Sequence, residues 1–287
     1  MTEDTFEDGA EFSGPSGPAV VPKAAIETFN PKWLEIWYQP KIDLKRKCLA
    51  GAEALLRINH PQSGLLWPDD YLDLLDEGEL AELTEQALVA VLGQWSVFAE
   101  SGFDLRLAVN IPAPMLTRLP IKALVTKHRP QSTNWPGLIL EIGEDQIVRN
   151  IASTREIASE LKTVGVAIAI DDFGAGYSSF SGLRDLSFSE LKLHGSFVKN
   201  CAVDVTNAAI CQTAIDFAHR FGSMAVAKDI NSIADLQALV VMGCDFGQGL
   251  LVAPPMSKEQ FLDALRQHAD GSRSPQPRPG DGAEKVA

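Results

Sequence analysis

The amino-acid sequence predicts an α/β protein built as a TIM-type (β/α)8 barrel. Short apolar runs of strand length alternate with amphipathic helical segments over roughly 240 residues, which suits such a barrel. About eight strand candidates fall within that stretch. A doubly wound open sheet is the alternative. Its dinucleotide-binding form is unsupported, because no GxGxxG motif follows the first strand.

Each predicted strand is a short apolar or β-branched run bounded by polar or turn-forming residues. The runs cover residues 34–39, 51–58, 105–111, 138–142, 166–170, 191–193, 224–227 and 249–252. Between them, apolar residues spaced by three and four, as from Leu80 to Phe98, predict helices that pack one face on the sheet. Capping pairs predict three helix starts, at Ser153 with Glu156, Ser232 with Asp235, and Ser257 with Gln260.

The two ends of the chain lack an apolar period. Residues 1–24 are acidic and then rich in Gly, Pro and Ser, and residues 269–287 have a similar composition. Such segments cannot bury enough apolar surface to fold, so we expect disordered N- and C-terminal tails. The barrel domain is therefore expected to occupy residues 25–268.

Composition narrows the classes of function. The formal net charge is −13, and a strongly acidic chain binds DNA and anionic membranes poorly. No apolar run reaches membrane-spanning length, and no signal-peptide pattern is present. The four cysteines form no CxxC pair, which favours reduced thiols over disulfides or a zinc site. We therefore expect a cytoplasmic protein without DNA binding or membrane insertion.

The fifth predicted strand ends abruptly in two acids. The apolar run from Val166 to Ile170 is followed by Asp171, Asp172 and a turn with two glycines. Paired carboxylates are costly to desolvate, and barrel enzymes build their sites at the C-terminal strand ends. The pattern predicts a metal-binding mouth there. An Asp-rich turn that caps the next helix is the alternative.

Polar residues also lie at the ends of the other predicted strands. Converging carboxylates would repel one another without a cation, and oxygen ligands suit Mg²⁺, Mn²⁺ or Ca²⁺ better than zinc. The alternative is a set of structural ion pairs in which lysine and arginine are the partners. The residues are Glu53, Arg57, Asn110, Glu141, Glu144, Lys192, His194, Lys228, Asp229 and, ahead of the last run, Gln248.

Seven ordered motifs at these strand ends resemble the EAL domain, a bacterial family that hydrolyses cyclic di-GMP. The resemblance extends from about Glu35 to Pro254. The motifs are Tyr38-Gln39-Pro40, Glu53-Ala54-Leu55-Leu56-Arg57, Val109-Asn110-Ile111, Leu140-Glu141-Ile142, the Asp171–Ser179 stretch DDFGAGYSS, Leu191-Lys192-Leu193 and Gln248-Gly249.

The resemblance implies a modified TIM-type barrel whose first strand is antiparallel to the rest, and two-metal hydrolysis of a phosphodiester. By resemblance, Glu53, Asn110, Glu141 and Asp171 would hold one Mg²⁺ or Mn²⁺ ion, and Asp171 and Asp172 would share the second. Lys192 would orient the attacking water. The implied contacts to cyclic di-GMP are Gln39, Leu55, Arg57, Asn110, Asp172, Asn231, Gln248 and Pro254.

The seventh strand departs from the family pattern. Where the family has AEGVE, this chain has Ala227-Lys228-Asp229-Ile230-Asn231. Lys228 replaces the acid that would help to hold the second ion, and a protonated amine cannot ligate a metal. We therefore expect one metal site at most, with the Lys228 ammonium paired to Asp172. The alternative is a solvent-pointing Lys228 with Asp229 in the acid's role.

Three functional hypotheses follow. The first is a catalytically impaired signalling protein that binds cyclic di-GMP, a protein partner, or both. The second is an active cyclic di-GMP phosphodiesterase that uses Asp229 in place of the missing acid and forms linear product. The third is a nucleotide-free protein-interaction module. A homodimer is compatible with each of them.

Overall fold

The computed structural model describes residues 30–175 and 183–271. The predicted tail of residues 1–24 lies outside these ranges, as do residues 176–179 of the glycine-rich loop. The predicted C-terminal tail also lies outside them from residue 272 onward. Its first residues, 269–271, instead continue the last helix.

Strands and helices alternate along the described chain as the apolar pattern predicts. The strands are β1 (Leu34–Asp43), β2 (Cys48–His60), β3 (Gly64–Leu66), β4 (Leu107–Asn110), β5 (Leu138–Gly143), β6 (Val166–Phe173), β7 (Glu190–Leu193), β8 (Met224–Ala227), β9 (Phe246–Gly247) and β10 (Met256–Ser257). The helices are α1 (Pro68–Tyr71), α2 (Glu77–Glu100), α3 (Ala113–Arg118), α4 (Ile121–His128), α5 (Glu144–Arg149), α6 (Ile151–Lys162), α7 (Gly195–Val198), α8 (Val205–Arg220), α9 (Ile233–Met242) and α10 (Lys258–Gly271).

Eight strands of the described ranges close into a barrel, which confirms the predicted fold. Strands β2, β4, β5, β6, β7, β8 and β9 are parallel neighbours in that order. Strand β1 joins the two ends and runs antiparallel to both β2 and β9. The barrel is therefore the modified TIM type. Strands β3 and β10 extend its margin beside β2 and β1.

The last predicted strand is wrong. Residues 249–252 form a turn, in which the amides of Val252 and Ala253 donate to the Gly249 carbonyl. The eighth barrel strand is β9, just before this turn. A Cβ at Gly249 would lie 2.2 Å from the Ile230 nitrogen, so only glycine fits this close approach. The apolar run that suggested a strand leaves Leu250 65% exposed.

Helix packing follows the predicted apolar stripes. In α2 the side chains of Leu83, Ala87, Val91, Trp95 and Phe98 are buried. These positions recur every three or four residues, so one face of the helix covers the outside of the barrel. No helix of the described ranges is long and apolar enough to cross a membrane.

Two of the three predicted helix starts are confirmed. The Asp235 amide donates to Ser232 Oγ at the start of α9, and Ser257 and Gln260 cap α10 reciprocally. The Ser153 prediction is wrong, because α6 begins at Ile151 and Ser153 Oγ donates to the Asn150 carbonyl. The short helix α5 leads directly into α6, so Ser153 falls in its first turn.

Candidate functional site

Strand register gathers four of the predicted polar residues on the inner face of the barrel. Asn110 on β4 lies opposite Glu141 on β5, and Gly143 lies opposite Asp171 on β6. Partners in a sheet share a face, so these residues point into one mouth. Asn110 Nδ2 donates to Glu53 Oε1 over 2.8 Å, which connects β2 to the group. The C-terminal strand ends thus form one polar cluster.

A bulge at the end of β6 allows two consecutive acids to serve the same cluster. Successive strand residues normally point to opposite faces. Here the pairing of β6 with β7 shifts between Ile170 and Phe173, and Asp172 takes a left-handed backbone with φ of 54°. A bulge of this kind redirects a side chain. The carboxylates of Asp171 and Asp172 consequently reach the same amine.

That amine belongs to Lys228, directly after β8. Its Nζ donates to Asp171 Oδ1 and Oδ2 over 2.9 and 3.0 Å, and to Asp172 Oδ1 over 2.8 Å. The Lys228 side chain is only 22% exposed. Burial and the nearby Lys192 charge work to lower the Lys228 pKa, but the Asp171 charge and the bonds to both acids leave it raised. Lys228 therefore stays an ammonium and faces the cluster rather than solvent.

Lys192 forms a second cationic centre deeper in the barrel. Its Nζ donates to Glu53 Oε2 over 2.7 Å and to Glu141 Oε2 over 2.5 Å, and the side chain is fully buried. Burial alone would lower the Lys192 pKa. The charges of Glu141, Glu53 and Asp171 outweigh it and raise the pKa well above its ordinary value. Lys192 is therefore charged at neutral pH and holds two glutamates together.

The two glutamates titrate in opposite directions. Burial raises the pKa of Glu53, but the charge and hydrogen bond of Lys192, the Lys228 charge and the Asn110 bond bring it down to about 2. Burial and the Glu53 charge raise the pKa of Glu141 to about 8, against the effect of Lys192. Two ammonium groups thus offset two of the four carboxylates, and the Glu53 charge disfavours ionisation of Glu141 beside it.

The two lysines therefore offset part of the negative charge of the cluster. Within residues 30–175 and 183–271, no three His, Cys, Asp or Glu side chains are grouped so as to hold a metal ion. Two buried oxygens at the mouth nevertheless have no hydrogen-bond partner among the described residues, Glu141 Oε1 and Gln248 Oε1. Buried polar atoms of this kind are uncommon and favour a further ligand.

Residues predicted to contact a dinucleotide line one wall beside this cluster. Gln39 on β1 lies opposite Glu53, and Gln39 Nε2 donates to the Ala253 carbonyl over 3.3 Å. Gln248 follows β9 and its Nε2 lies 3.4 Å from Glu53 Oε2. Further along the wall, Leu55 pairs with Trp37, and Arg57 is buried.

A family model described as the EAL domain matches residues 23–255, across the barrel and the whole cluster. The chain belongs to the EAL domain family. Two curated relatives from Pseudomonas aeruginosa are similar to it. Cyclic di-GMP phosphodiesterase PA2567 is 33% identical over 232 residues, which are 80% of this chain and 40% of that protein. Cyclic di-GMP phosphodiesterase RocR is 34% identical over 235 residues, which are 80% of this chain and 59% of that protein.

The chain thus spans about two- to three-fifths of the length of these relatives. Among solved structures, the PaMucR phosphodiesterase in complex with c-di-GMP is similar, with 32% identity and a TM-score of 0.73. The match covers 80% of this chain and 94% of that chain. The similarity therefore covers the EAL barrel itself.

Three residues named from the sequence make contacts outside the cluster or are exposed: Asn231 and Pro254 from the EAL resemblance, and His194 from the strand ends. Asn231 is exposed and its Oδ1 accepts from the Leu250 amide, so it supports the turn after β9. Pro254 is exposed in the loop before β10. His194 caps α7 through a bond from the Ser196 amide.

The Asp229 carboxylate points away from the position of the missing acid of the EAL pattern in this structure. Its carboxylate lies against Gly195, where an added Cβ would be 2.1 Å from Asp229 Oδ2. Its backbone is left-handed, with φ of 55°, which turns the chain between Lys228 and Ile230. Lys228, and not Asp229, therefore faces Asp171 and Asp172.

Three contacts within the EAL barrel were not predicted from the sequence, although Arg57 and Glu144 were named as polar residues at strand ends. Trp67 packs on Arg57, a contact between segments that no local pattern joins. Glu144 is buried, and its Oε2 accepts from the Gly174 amide over 2.9 Å, which ties α5 to the glycine-rich loop. At the opposite end of the barrel, the buried Lys41 bonds both carboxylate oxygens of Glu190. The sequence does contain a pattern that predicts the inner wall. Every second residue of β1 from Glu35 onward faces it, namely Glu35, Trp37, Gln39 and Lys41.

Proposed function

We propose that this chain is an EAL-family signalling protein that binds cyclic di-GMP and hydrolyses it very slowly or not at all. The observation that carries the proposal is the Lys228 ammonium, bonded to both Asp171 and Asp172. It sits against the two acids that a second divalent ion would need. The ammonium offsets one of their two negative charges without a metal, and an ammonium in that position cannot activate a water.

The remaining residues fit at most one divalent ion. Phosphodiesterases of the EAL family depend on divalent metals, and oxygen donors suit Mg²⁺ or Mn²⁺. Glu53, Asn110, Glu141 and Asp171 would hold that ion, which would supply charge for an anionic phosphate. The buried, unpartnered Glu141 Oε1 supports this fit. The pair Asp171 and Asp172 with Lys228 does not fit a second ion, because like charges repel.

The expected loss of turnover follows from the transition-state stabilisation that a second ion would supply. In two-metal sites each ion stabilises transition-state charge by several kcal/mol, and every 1.36 kcal/mol is tenfold in rate. Losing one ion therefore slows hydrolysis by roughly a thousandfold or more. Ligand binding depends less on the second ion, since Gln39, Arg57 and Gln248 lie along the same wall and would contact the dinucleotide.

An active phosphodiesterase is the second candidate. Two observations favour it. The relatives PA2567 and RocR are named cyclic di-GMP phosphodiesterases. In addition, Lys192 bonds both Glu53 and Glu141, a position from which it would orient a water. In this reading Lys228 would move aside when ions bind. Asp229 would then have to leave its place against Gly195 to supply the missing carboxylate.

One pair of measurements on the purified chain tests the proposal. Calorimetry with cyclic di-GMP and Ca²⁺ measures binding, and chromatography with Mg²⁺ and Mn²⁺ measures linear product. We expect micromolar or tighter binding with no product above the background of a Glu53→Ala variant. Rapid, Glu53-dependent hydrolysis would establish the second candidate. Absence of binding by a folded sample would favour a nucleotide-free interaction module.

We also place this function in the bacterial cytoplasm, where the four free cysteines would remain reduced. A binder without turnover transmits a signal only through something it contacts. A protein partner, or a second copy of the chain, would supply that output.

A further inference from the structure

The inner wall formed by β1 and β2 continues past the cluster toward the rim. Directly opposite pairs on this face are Gln39 with Glu53, Trp37 with Leu55, and Glu35 with Arg57. Residues two apart on one strand face are about 6.6 Å apart. The Arg57 level therefore lies about 13 Å beyond Glu53 along the strand.

At this level the Arg57 guanidinium contacts two indoles. Its Cζ is 3.9 Å from the Trp67 ring centroid and 5.7 Å from that of Trp37. The two indole centroids are 6.3 Å apart and tilted by 59°. The Trp67 amide donates to Asp70 Oδ2 over 2.7 Å, which fixes its backbone at the start of α1. The aromatic pair is thus held in place before any ligand arrives.

Two features of this group are unexplained by folding alone. Trp67 is 46% exposed, although a tryptophan normally buries its large apolar surface. Arg57 is only 3% exposed, yet among the described residues its Nε has no hydrogen-bond partner, and Nη1 donates to the neighbouring Leu56 carbonyl. The nearby Tyr71 hydroxyl is also buried, without a partner in the part of the chain that the structure describes. Unused buried donors beside an exposed ring suit a ligand that is both anionic and aromatic.

We propose that Trp67, backed by Arg57 and flanked by Trp37, is the platform on which one guanine base of cyclic di-GMP stacks. This inference rests on the proposed function, since it concerns the same ligand. Every purine presents a flat π-face to an indole, and a guanidinium held on the ring's other side strengthens the assembly. The base would lie at the Arg57 level, two levels along the wall from the cluster that receives the phosphate.

The test compares wild type with Trp67→Leu, which removes the ring, and with Trp67→Phe, which keeps a smaller one. Loss of a base-stacking aromatic weakens binding by roughly tenfold. We expect Trp67→Leu to raise the calorimetric Kd for cyclic di-GMP in Ca²⁺ about tenfold, and Trp67→Phe only about two- to threefold. Trp135→Phe, remote from the wall beside Gly165, serves as the matched control with an unchanged Kd.

Intrinsic fluorescence separates stacking from a role in merely positioning Arg57. The chain has five tryptophans, and guanine stacked on an indole quenches its emission. We expect ligand-induced quenching in wild type to fall by at least half in Trp67→Phe and to persist in Trp135→Phe. Equal Kd values for wild type and Trp67→Leu, or undiminished quenching in Trp67→Phe, would overturn the platform alone. Failure of wild type to bind would overturn the proposed ligand, and the platform with it.

Discussion

The Lys228 ammonium bridges Asp171 and Asp172, with Nζ to oxygen distances from 2.8 to 3.0 Å. Two acids that are adjacent in sequence on β6 therefore bond one cation, which follows β8. The bulge at the end of β6 makes this possible, because it turns both carboxylates to the same side. The Lys228 ammonium therefore offsets part of the negative charge at the barrel mouth.

Replacing Lys228 by glutamate should make the protein depend on metal. The Lys228→Glu variant would bring a third carboxylate beside Asp171 and Asp172, and like charges in a partly buried site repel. We expect its melting temperature to fall in EDTA and to recover with Mn²⁺ or Mg²⁺, accompanied by Glu53-dependent hydrolysis of cyclic di-GMP. Lys228→Gln is the control, since it removes the cation without adding a carboxylate. A Lys228→Glu variant that is indifferent to metal would contradict this role for Lys228.

Replacing Lys192 by methionine should destabilise the fold and weaken ligand binding together. The substitution leaves Glu53 and Glu141 buried without their shared cation, and breaking a buried pair costs about 3–5 kcal/mol. Urea unfolding measures the loss. Lys41→Met breaks the buried pair with Glu190 at the other end of the barrel, so it should cost similar stability and leave cyclic di-GMP binding unchanged. A Lys192→Met protein as stable as wild type would refute this assignment.

Asp235 should contribute stability that disappears in acid. Burial would raise its pKa, but bonds from the Ala202 amide, the Ser232 hydroxyl and the Asn200 amide lower it below its ordinary value of 3.8. Because the folded-state pKa is the lower one, the contribution is complete above the unfolded value and is lost as pH falls through the folded value.

Thermal melts of Asp235→Asn from neutral pH into the acid range check this expectation. The variant should melt below wild type at neutral pH, and the two curves should converge as pH falls below the ordinary aspartate pKa. Asp263→Asn, at an exposed position of α10, should match wild type throughout. A gap that stays constant with pH would show that the Asp235 carboxylate charge is not what matters.

Asp229→Gly should stabilise the protein. Asp229 has φ of 55°, a region that L-residues other than Asn and Asp rarely adopt and that glycine adopts freely. We expect a gain of about 0.5–1 kcal/mol, reduced somewhat by the extra freedom of glycine in the unfolded chain. Asp229→Ala should instead be destabilising, and calorimetric melting compares the two. Equal melting temperatures for Asp229→Gly and Asp229→Ala would mean that the left-handed backbone at Asp229 carries no strain.

The sequence was a good guide to strand ends and a poor guide to side-chain direction. Strand β8 matches its prediction at Met224–Ala227, and Asp171 and Asp172 lie within β6 directly after its apolar run. The run 249–252 misled because a strand and a tight apolar turn look alike locally. The contact that makes this segment a turn, Gly249 against Ile230, joins residues that are well separated in sequence.

Local patterns along the chain were enough to establish the barrel, its family and the set of polar groups at its mouth, because strand and helix periodicity are local properties. Only the folded barrel established that Lys228 points inward while Asp229 turns away, and that Trp67 meets Arg57. Those outcomes depend on a bulge, a left-handed residue and the closure of β1 against β2 and β9. Each sets the direction of a side chain through contacts with residues far away in sequence, which no local pattern encodes.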